Sequence, residues 1–481
     1  MQDSSPILLW LRRDLRMQDA PALAAACASG RPVVPVFIRD ASVDNLGAAP
    51  KWRLGRAVEV FAASLAENGS RLILRSGNAR DVLLDLVRET GAADVYWSRL
   101  YDPASVERDT AIKSDLKKAG LAVHSFATAL LFEPWEVATG GGGHYKVYSP
   151  FWRAVRGRDV AAPSPAPSAI PAPDRWPLSE TLDQWDLSTP MRRGAEIVGR
   201  YTEIGEAAAQ RRFDAFLDDD LAQYAHDRNA LDRVGTSGMS PYLATGEIGP
   251  RTLWHAAMRA HHDGNAGAET YLKELVWREF AWHLCWHTPH ILHRSWREEW
   301  DAFPWNKDEN HPDAIAWKRA CTGVPLVDAG LREMQVTGTM HNRARMVVAS
   351  YLTKHLMCDW RIGQRWFEQH LVDWDPASNA MGWQWVAGSG PDAAPYFRIF
   401  NPETQRKTFD PDGTYVARWI AEGQESPPRT ALDYFEAVPA RWNLRPSAPY
   451  PEPTVGLAEG RARALAAYDA ARGGSGSDNP G

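Results

Sequence analysis

A change of period along the chain restricts its fold more than any other feature. Through the first 130 or so residues, short apolar runs alternate with stretches of helical periodicity. The runs are Ile7-Leu8-Leu9-Trp10-Leu11, Val33-Val34-Pro35-Val36-Phe37-Ile38, Leu72-Ile73-Leu74 and Val95-Tyr96-Trp97; the helical stretches fall at 22–28, 53–67, 81–89 and 106–118. Brief uninterrupted apolar runs suit strands buried on both faces of a parallel sheet. Strand–helix alternation of this kind specifies an α/β N-terminal domain built on a doubly wound parallel sheet. Four consecutive glycines, Gly140 to Gly143, then break the pattern, and Pro163, Pro165, Pro167, Pro171 and Pro173 follow among Ala, Ser and Asp. That composition makes a long linker, flexible first and then extended. From about residue 203 helices are long and β-branched runs few, which predicts an all-α C-terminal domain. The expected division is an α/β domain at 1–135, a linker at 136–202, a helical domain at 203–471 and a disordered tail at 472–481, where Gly and Ser crowd together.

Composition narrows the function classes. The 54 Lys and Arg stand against 60 Asp and Glu, a net charge of −6, which excludes a simple basic protein that coats nucleic acid and leaves room for a local basic groove. Cys27, Cys285, Cys321 and Cys358 lie far apart with no C-x-x-C, so neither a zinc site nor a disulfide framework is expected, and no metal. No signal pattern opens the chain and no apolar run nears the ~18 residues of a membrane span. A cytoplasmic protein with no membrane partner is the expectation. The first strand lacks a following G-x-G-x-x-G and runs instead into Leu11-Arg12-Arg13-Asp14-Leu15-Arg16, so the usual dinucleotide fingerprint is missing. Tryptophan is the anomaly: there are 22, fifteen of them between Trp254 and Trp442.

Four segments carry side chains suited to chemistry. Thr236-Ser237-Gly238-Met239-Ser240-Pro241 sets three hydroxyls and a glycine before a helix, with Ser240 as its N-cap and Pro241 at the first helical position. Free N–H groups there can cradle a phosphate, although an ordinary capped helix has the same signature. In the helix Tyr271 to Phe280, the residues Glu274, Trp277, Arg278 and Ala281 share a face. An acceptor, a flat plate and a cation suit a nucleobase-like ligand, the plainer alternative being a half-buried Trp beside a surface ion pair. His341 to Met346 also reads as helix: Asn342 and Met346 point the same way, and Arg343 and Arg345 reach phosphates or carboxylates, or form a solvated basic face. Asp373 to Trp385 compresses two acids, an asparagine and three tryptophans into a stretch broken by Pro376 and Gly382, poor helix material that reads as a binding loop.

Asn379-Ala380-Met381-Gly382-Trp383-Gln384-Trp385 and Pro395-Tyr396-Phe397-Arg398-Ile399-Phe400-Asn401-Pro402 resemble the photolyase/cryptochrome family. So do Thr236 to Ser240, Trp277-Arg278-Glu279-Phe280, Thr337-Gly338-Thr339-Met340-His341-Asn342-Arg343 and the opening Trp10-Leu11-Arg12-Arg13-Asp14-Leu15-Arg16. The motifs keep the family's order from Leu8 to about Trp419 and are most like those of class I cyclobutane pyrimidine dimer photolyases. The resemblance implies an antenna-binding α/β domain and an all-α domain that holds FAD bent into a U. It sets Tyr224, Thr236, Ser237, Gly238, Met239, Ser240 and Tyr271 around the ribityl-phosphate side. Gly238 departs from the arginine often found there, which leaves backbone N–H groups for the phosphate. Asp373 and Asp375 lie against the flavin and adenine, Arg345 partners Asp373, and Asn379 faces the flavin N5, where a neutral amide favours the reduced anion. Plant cryptochromes carry an acid at that position.

The same resemblance implies the substrate. Asn342 and Met346 stand where six-four enzymes place two histidines, and Trp385 where DASH-type cryptochromes usually carry Tyr, so dimer repair is expected, with UV-damaged DNA as partner and a monomer as the acting form. Glu274, Asn342, Met346 and Asn379 make up the catalytic pocket, and Trp277 and Trp385 stack on a flipped-out dimer that Arg228, Arg278, Asn342 and Arg343 reach directly or through its phosphates. Light-excited reduced FAD donates an electron, the cyclobutane ring opens, and the electron returns, so the enzyme is a carbon–carbon lyase. Trp383, Trp360 and Trp305 match the chain that refills the flavin from the surface. Glu107 matches the acid that anchors a folate antenna, whereas His293 stands where folate binders often have Lys. Methenyltetrahydrofolate, a deazaflavin and no antenna at all therefore stay open. Two other classes compete: a cryptochrome-like blue-light photoreceptor that binds FAD without repair, and a nucleotide-binding α/β protein with an unrelated helical partner.

Overall fold

The computed structural model describes residues 4–474. Five strands, β1 (Ile7–Leu11), β2 (Val33–Arg39), β3 (Ile73–Ser76), β4 (Asp94–Ser98) and β5 (Ala122–Phe126), form one parallel sheet in the order β3-β2-β1-β4-β5. Leu9 of β1 stands opposite Pro35 on one side and Tyr96 on the other. Successive β1 residues feed two separate apolar clusters: Ile7, Leu9 and Leu11 enter one, Leu8 and Trp10 the other. Both faces are therefore covered, which is why the strand reads as an unbroken apolar run. β5 is the strand that the apolar runs do not disclose. Its Ala-Val-His-Ser-Phe sequence buries only Val123, as befits a sheet edge.

Helix α1 (Ala48–Glu67) follows β2, and α2 (Pro103–Lys118) follows β4. The linker is more ordered than its composition suggests. It holds α3 (Tyr148–Val155), and its extended part lies along the other sheet edge, where Leu74 N–H donates to Ser179 Oγ at 2.9 Å and Glu180 N–H to the Leu74 carbonyl at 2.9 Å. Pairing of this kind covers the exposed edge of β3. The helical part contributes α4 (Ser240–Thr245), α5 (Ala268–His287), α6 (Pro325–Thr337), α7 (Asn342–Ser350), α8 (Trp360–His370), α9 (Pro376–Ala387) and α10 (Leu457–Gly474) among others. α10 runs on through 472–474, the first residues of the expected tail; the rest of that tail, 475–481, falls outside the described residues. Arg53 of α1 reaches across to Glu247 at 2.7 Å, both side chains at most 1% exposed, and so pins the sheet region to the helices. All four cysteines are free thiols. Among the described residues no helix is long and apolar enough to cross a membrane, and no cluster of His, Cys, Asp and Glu is placed to hold a metal.

Candidate active site

The helical part encloses a cavity of about 730 Å³, walled by α4, α5, α7 and α9, a size typical of small-molecule sites. All eleven residues expected around the cofactor line it, and so do Arg228, Glu274, Trp277, Arg278, Asn342, Met346, Trp383 and Trp385. Segments far apart in sequence thus converge on one space.

The acids divide their work. Arg345 Nη2 donates to Asp373 Oδ2 at 2.7 Å, and Arg345 Nε to the Met340 carbonyl at 2.8 Å. The second carboxylate oxygen of Asp373 is buried with no protein partner, a state that asks for a donor from a ligand. Asp375 is satisfied within the chain: it accepts from Ser378 N–H at 2.8 Å and from Trp282 Nε1 at 3.0 Å. It is the N-cap of α9, with Pro376 at the first helical position. The expected loop over 373–385 is therefore corrected. Its proline starts a helix rather than breaking one, and Gly388 ends that helix in the left-handed region. From α9, Asn379 Nδ2 donates to the Gln364 carbonyl at 3.1 Å, which fixes the amide and leaves Oδ1 as an acceptor.

The phosphate-cradle segment also differs from expectation in detail. α4 starts at Ser240, with Met239 in the cap position and no side-chain cap, so Pro241 is its second residue. Proline fits there equally well because the first N–H groups of a helix have no partner within it. Gly238 sits at φ +68°, and a Cβ there would meet Arg212 Nε at 3.3 Å. Arg212 donates to the Thr236 carbonyl at 2.5 Å and the Ser237 carbonyl at 3.1 Å. No motif marks Arg212, yet it ties back the carbonyls of this turn.

On α5, Glu274 forms an ion pair with Arg228. Burial raises the Glu274 pKa, with Arg228 opposing the shift. The Trp277 ring stacks on Tyr148 at 3.6 Å and 7°, so one face is covered while the residue also lines the cavity. Arg278 is partly engaged elsewhere, donating to the Ala129 carbonyl at 2.8 Å. Arg343 does not line the cavity: it donates to Asn229 at 2.7 Å and lies over the Phe409 ring at 4.3 Å. His341 caps α7 by accepting from Arg343 N–H at 3.1 Å. Burial, then the charges of Arg343, Arg345 and Arg228, push its pKa down to about 4, so near neutral pH it is the neutral acceptor that this cap requires.

The three tryptophans of the expected chain lie in one apolar cluster. Trp383 has Phe367 at 4.9 Å and Trp317 at 6.1 Å as ring neighbours. Trp360 opens α8 and is fully buried. A bridge between Asn306 and Cys358 joins the segments that carry Trp305 and Trp360. Trp305, expected at the surface end, is only 5% exposed and stacks on Trp300 at 5.7 Å.

A second cavity of about 1560 Å³ opens at the carboxyl ends of β1 to β4, where open α/β sheets bind ligands. Glu107 and His293 line it, and Trp374 and Asn379 line both cavities.

Comparison with known proteins gives this arrangement its context. Residues 7–170 match DNA photolyase, and residues 271–470 match the FAD binding domain of DNA photolyase. The deoxyribodipyrimidine photo-lyase of Agrobacterium fabrum is 44% identical over 98% of each chain. Cryptochrome-1 of Arabidopsis thaliana is 33% identical over 95% of this chain and 69% of its own. A crystal structure described as a bacterial class III photolyase from Agrobacterium tumefaciens has a TM-score of 0.90 and 43% identity, covering 98% of this chain and 99% of that one. That structure is of class III, whereas the motifs quoted above resemble class I; what the motifs mark is the family. The chain belongs to the DNA photolyase family, and its helical part is that family's FAD-binding domain.

Proposed function

We propose that this protein binds FAD in the 730 Å³ cavity and repairs cyclobutane pyrimidine dimers in DNA under blue light. One observation carries the reading: Trp277, Trp385, Glu274, Asn342 and Met346 line the same cavity as the FAD-binding residues, with no histidine at 342 or 346. The residues fit the cofactor. The unpartnered Asp373 oxygen and the tied-back turn at 236–238 suit a polar ligand that carries both donors and phosphates. FAD held there, reduced and excited by light, would supply the electron that opens the cyclobutane ring and would take it back.

The chain's own residues bind and orient. Trp277 and Trp385 hold the extruded bases by their faces, at about 1–3 kcal/mol per base. Arg228 aims the Glu274 carboxylate, which with Asn342 hydrogen-bonds the base edges. Asn379 presents its fixed amide oxygen to the flavin. Trp383, Trp360 and Trp305 carry electrons inward, and Glu107 holds an antenna, methenyltetrahydrofolate or a deazaflavin, in the second cavity. The acting form in this reading is a monomer in the cytoplasm. A photoreceptor without repair is the second reading, favoured by the 33% identity to Cryptochrome-1; the neutral Asn379 speaks for repair.

Trp277→Ala tests the lesion site. Its affinity for a duplex carrying one dimer should fall about 10- to 100-fold, the equivalent of the stacking lost, with little change for undamaged duplex. Native affinity for the dimer duplex would remove Trp277 from the site.

A further inference from the structure

We infer that Tyr148 is a positioning residue for Trp277 and that Asp392 holds Tyr148 in place, so that the two stacking plates, Trp277 and Trp385, are mechanically joined. The inference rests on the reading of Trp277 and Trp385 as plates for the dimer. Tyr148 begins α3, in a stretch whose composition reads as linker, and is 8% exposed. Its ring lies flat on Trp277, 3.6 Å away and 7° from parallel. Its hydroxyl donates to the Lys273 carbonyl at 2.6 Å. That carbonyl lies one turn before Trp277 on α5, where it also accepts the Trp277 N–H. Burial and the nearby Glu274 raise the Tyr148 pKa, which keeps the hydroxyl a donor. The tyrosine, which does not itself line the cavity, thus grips both the ring and the backbone of Trp277.

Asp392 anchors this grip from the segment after α9. Val147, in the cap position of α3, offers no side-chain acceptor, and Tyr148 N–H donates instead to Asp392 Oδ2 at 3.0 Å. An acid suits the positive end of a helix. Asp392 sits at φ +52°, a strained region for a residue with a side chain, where glycine would be the easier choice. Two residues on, Ala394 N–H donates to the Trp385 carbonyl at 3.2 Å. A continuous path therefore runs from Trp385 through Asp392 and Tyr148 to Trp277. A plate already held in its bound orientation loses less freedom when bases arrive.

The test is a double-mutant cycle on the full-length FAD-loaded protein, read as affinity for dimer-containing and undamaged duplexes, flavin content, and repair per absorbed photon at saturating DNA. Tyr148→Ala should weaken dimer binding about 10-fold and leave the other three readouts at native values. Tyr148→Phe, which keeps the ring, should recover most of that loss. Asp392→Ala should weaken dimer binding about 3-fold, and Asp392→Asn, which keeps an acceptor, less. Combined with Trp277→Ala, Tyr148→Ala should add nothing, since its effect acts through that ring. Native dimer affinity in Tyr148→Ala, or a loss that persists undiminished without Trp277, overturns the inference and leaves the lesion site standing. Unchanged affinity in Trp277→Ala overturns both. Should Tyr148→Ala not fold, Tyr148→Leu and Asp392→Ala complete the same cycle.

Discussion

Asp373→Ala should purify with less than about a tenth of the native flavin, because the substitution removes a buried charged acceptor at the cofactor. One oxygen of Asp373 is held by Arg345 at 2.7 Å while the other is buried without a protein partner. A hydrogen bond to a charged group is worth about 1.5–3 kcal/mol, and about 1.4 kcal/mol is tenfold in affinity. Removing the carboxylate also leaves Arg345 with only the Met340 carbonyl in a half-buried setting, and a stranded charge costs more than the pair contributed. The combined effect is a fall in FAD affinity of about 100-fold. Asp373→Asn keeps the shape and one acceptor and should fall between the two. Flavin absorbance per unit protein reads the result directly; a fully loaded Asp373→Ala would show that the cofactor does not use this carboxylate.

Gly363→Val should be the most damaging change in the wall behind the cavity. Here α8 meets α9 so closely that a Cβ on residue 363 would lie 2.0 Å from the Trp383 ring. Overpacking a core by a methylene or two usually costs about 1–3 kcal/mol, and a rigid indole cannot slide aside as a flexible chain would. Trp383 also lines the cavity, so stability and flavin content should fall together, measurably in Gly363→Ala and severely in Gly363→Val. Gly382, on the facing helix, supplies the contrast. A Cβ there meets nothing within 4 Å, so Gly382→Ala should leave the denaturation midpoint of the apoprotein unchanged or raise it, since Ala is favoured over Gly in a helix by about 1 kcal/mol. A native midpoint in Gly363→Val would refute the close-packing argument.

Much of this architecture was legible in the sequence because burial writes a strong signal there. β1 is apolar throughout, and β2 as far as Ile38, since both sheet faces are covered. The cavity residues are legible for another reason: their motifs resemble those of the photolyase family, whereas on composition alone plainer readings compete at 236–241, 274–278 and 341–346. Less legible is structure made by partners distant in sequence, and one local signal is open to misreading. β5 buries one residue and draws its stability from β4. α9 looks like a loop when Pro376 is read as a breaker, yet Asp375 and Pro376 together form a start signal. Tyr148 and Arg212 act through contacts that no local pattern encodes: one is a ring laid on a helix more than a hundred residues away, the other a guanidinium bonded to two carbonyls. Arg343 shows the converse. It stands on α7 beside the cavity-lining Asn342 and Arg345, yet its side chain turns to Asn229 and Phe409.

The most direct measurement is restoration of a DNA duplex carrying a single cyclobutane thymine dimer, by purified protein whose FAD has been reduced, in blue light and in darkness. Restoration in the light alone is the expected result. Equal restoration in darkness, or none in the light from protein that holds its full complement of reduced FAD and binds the dimer, would contradict light-driven repair.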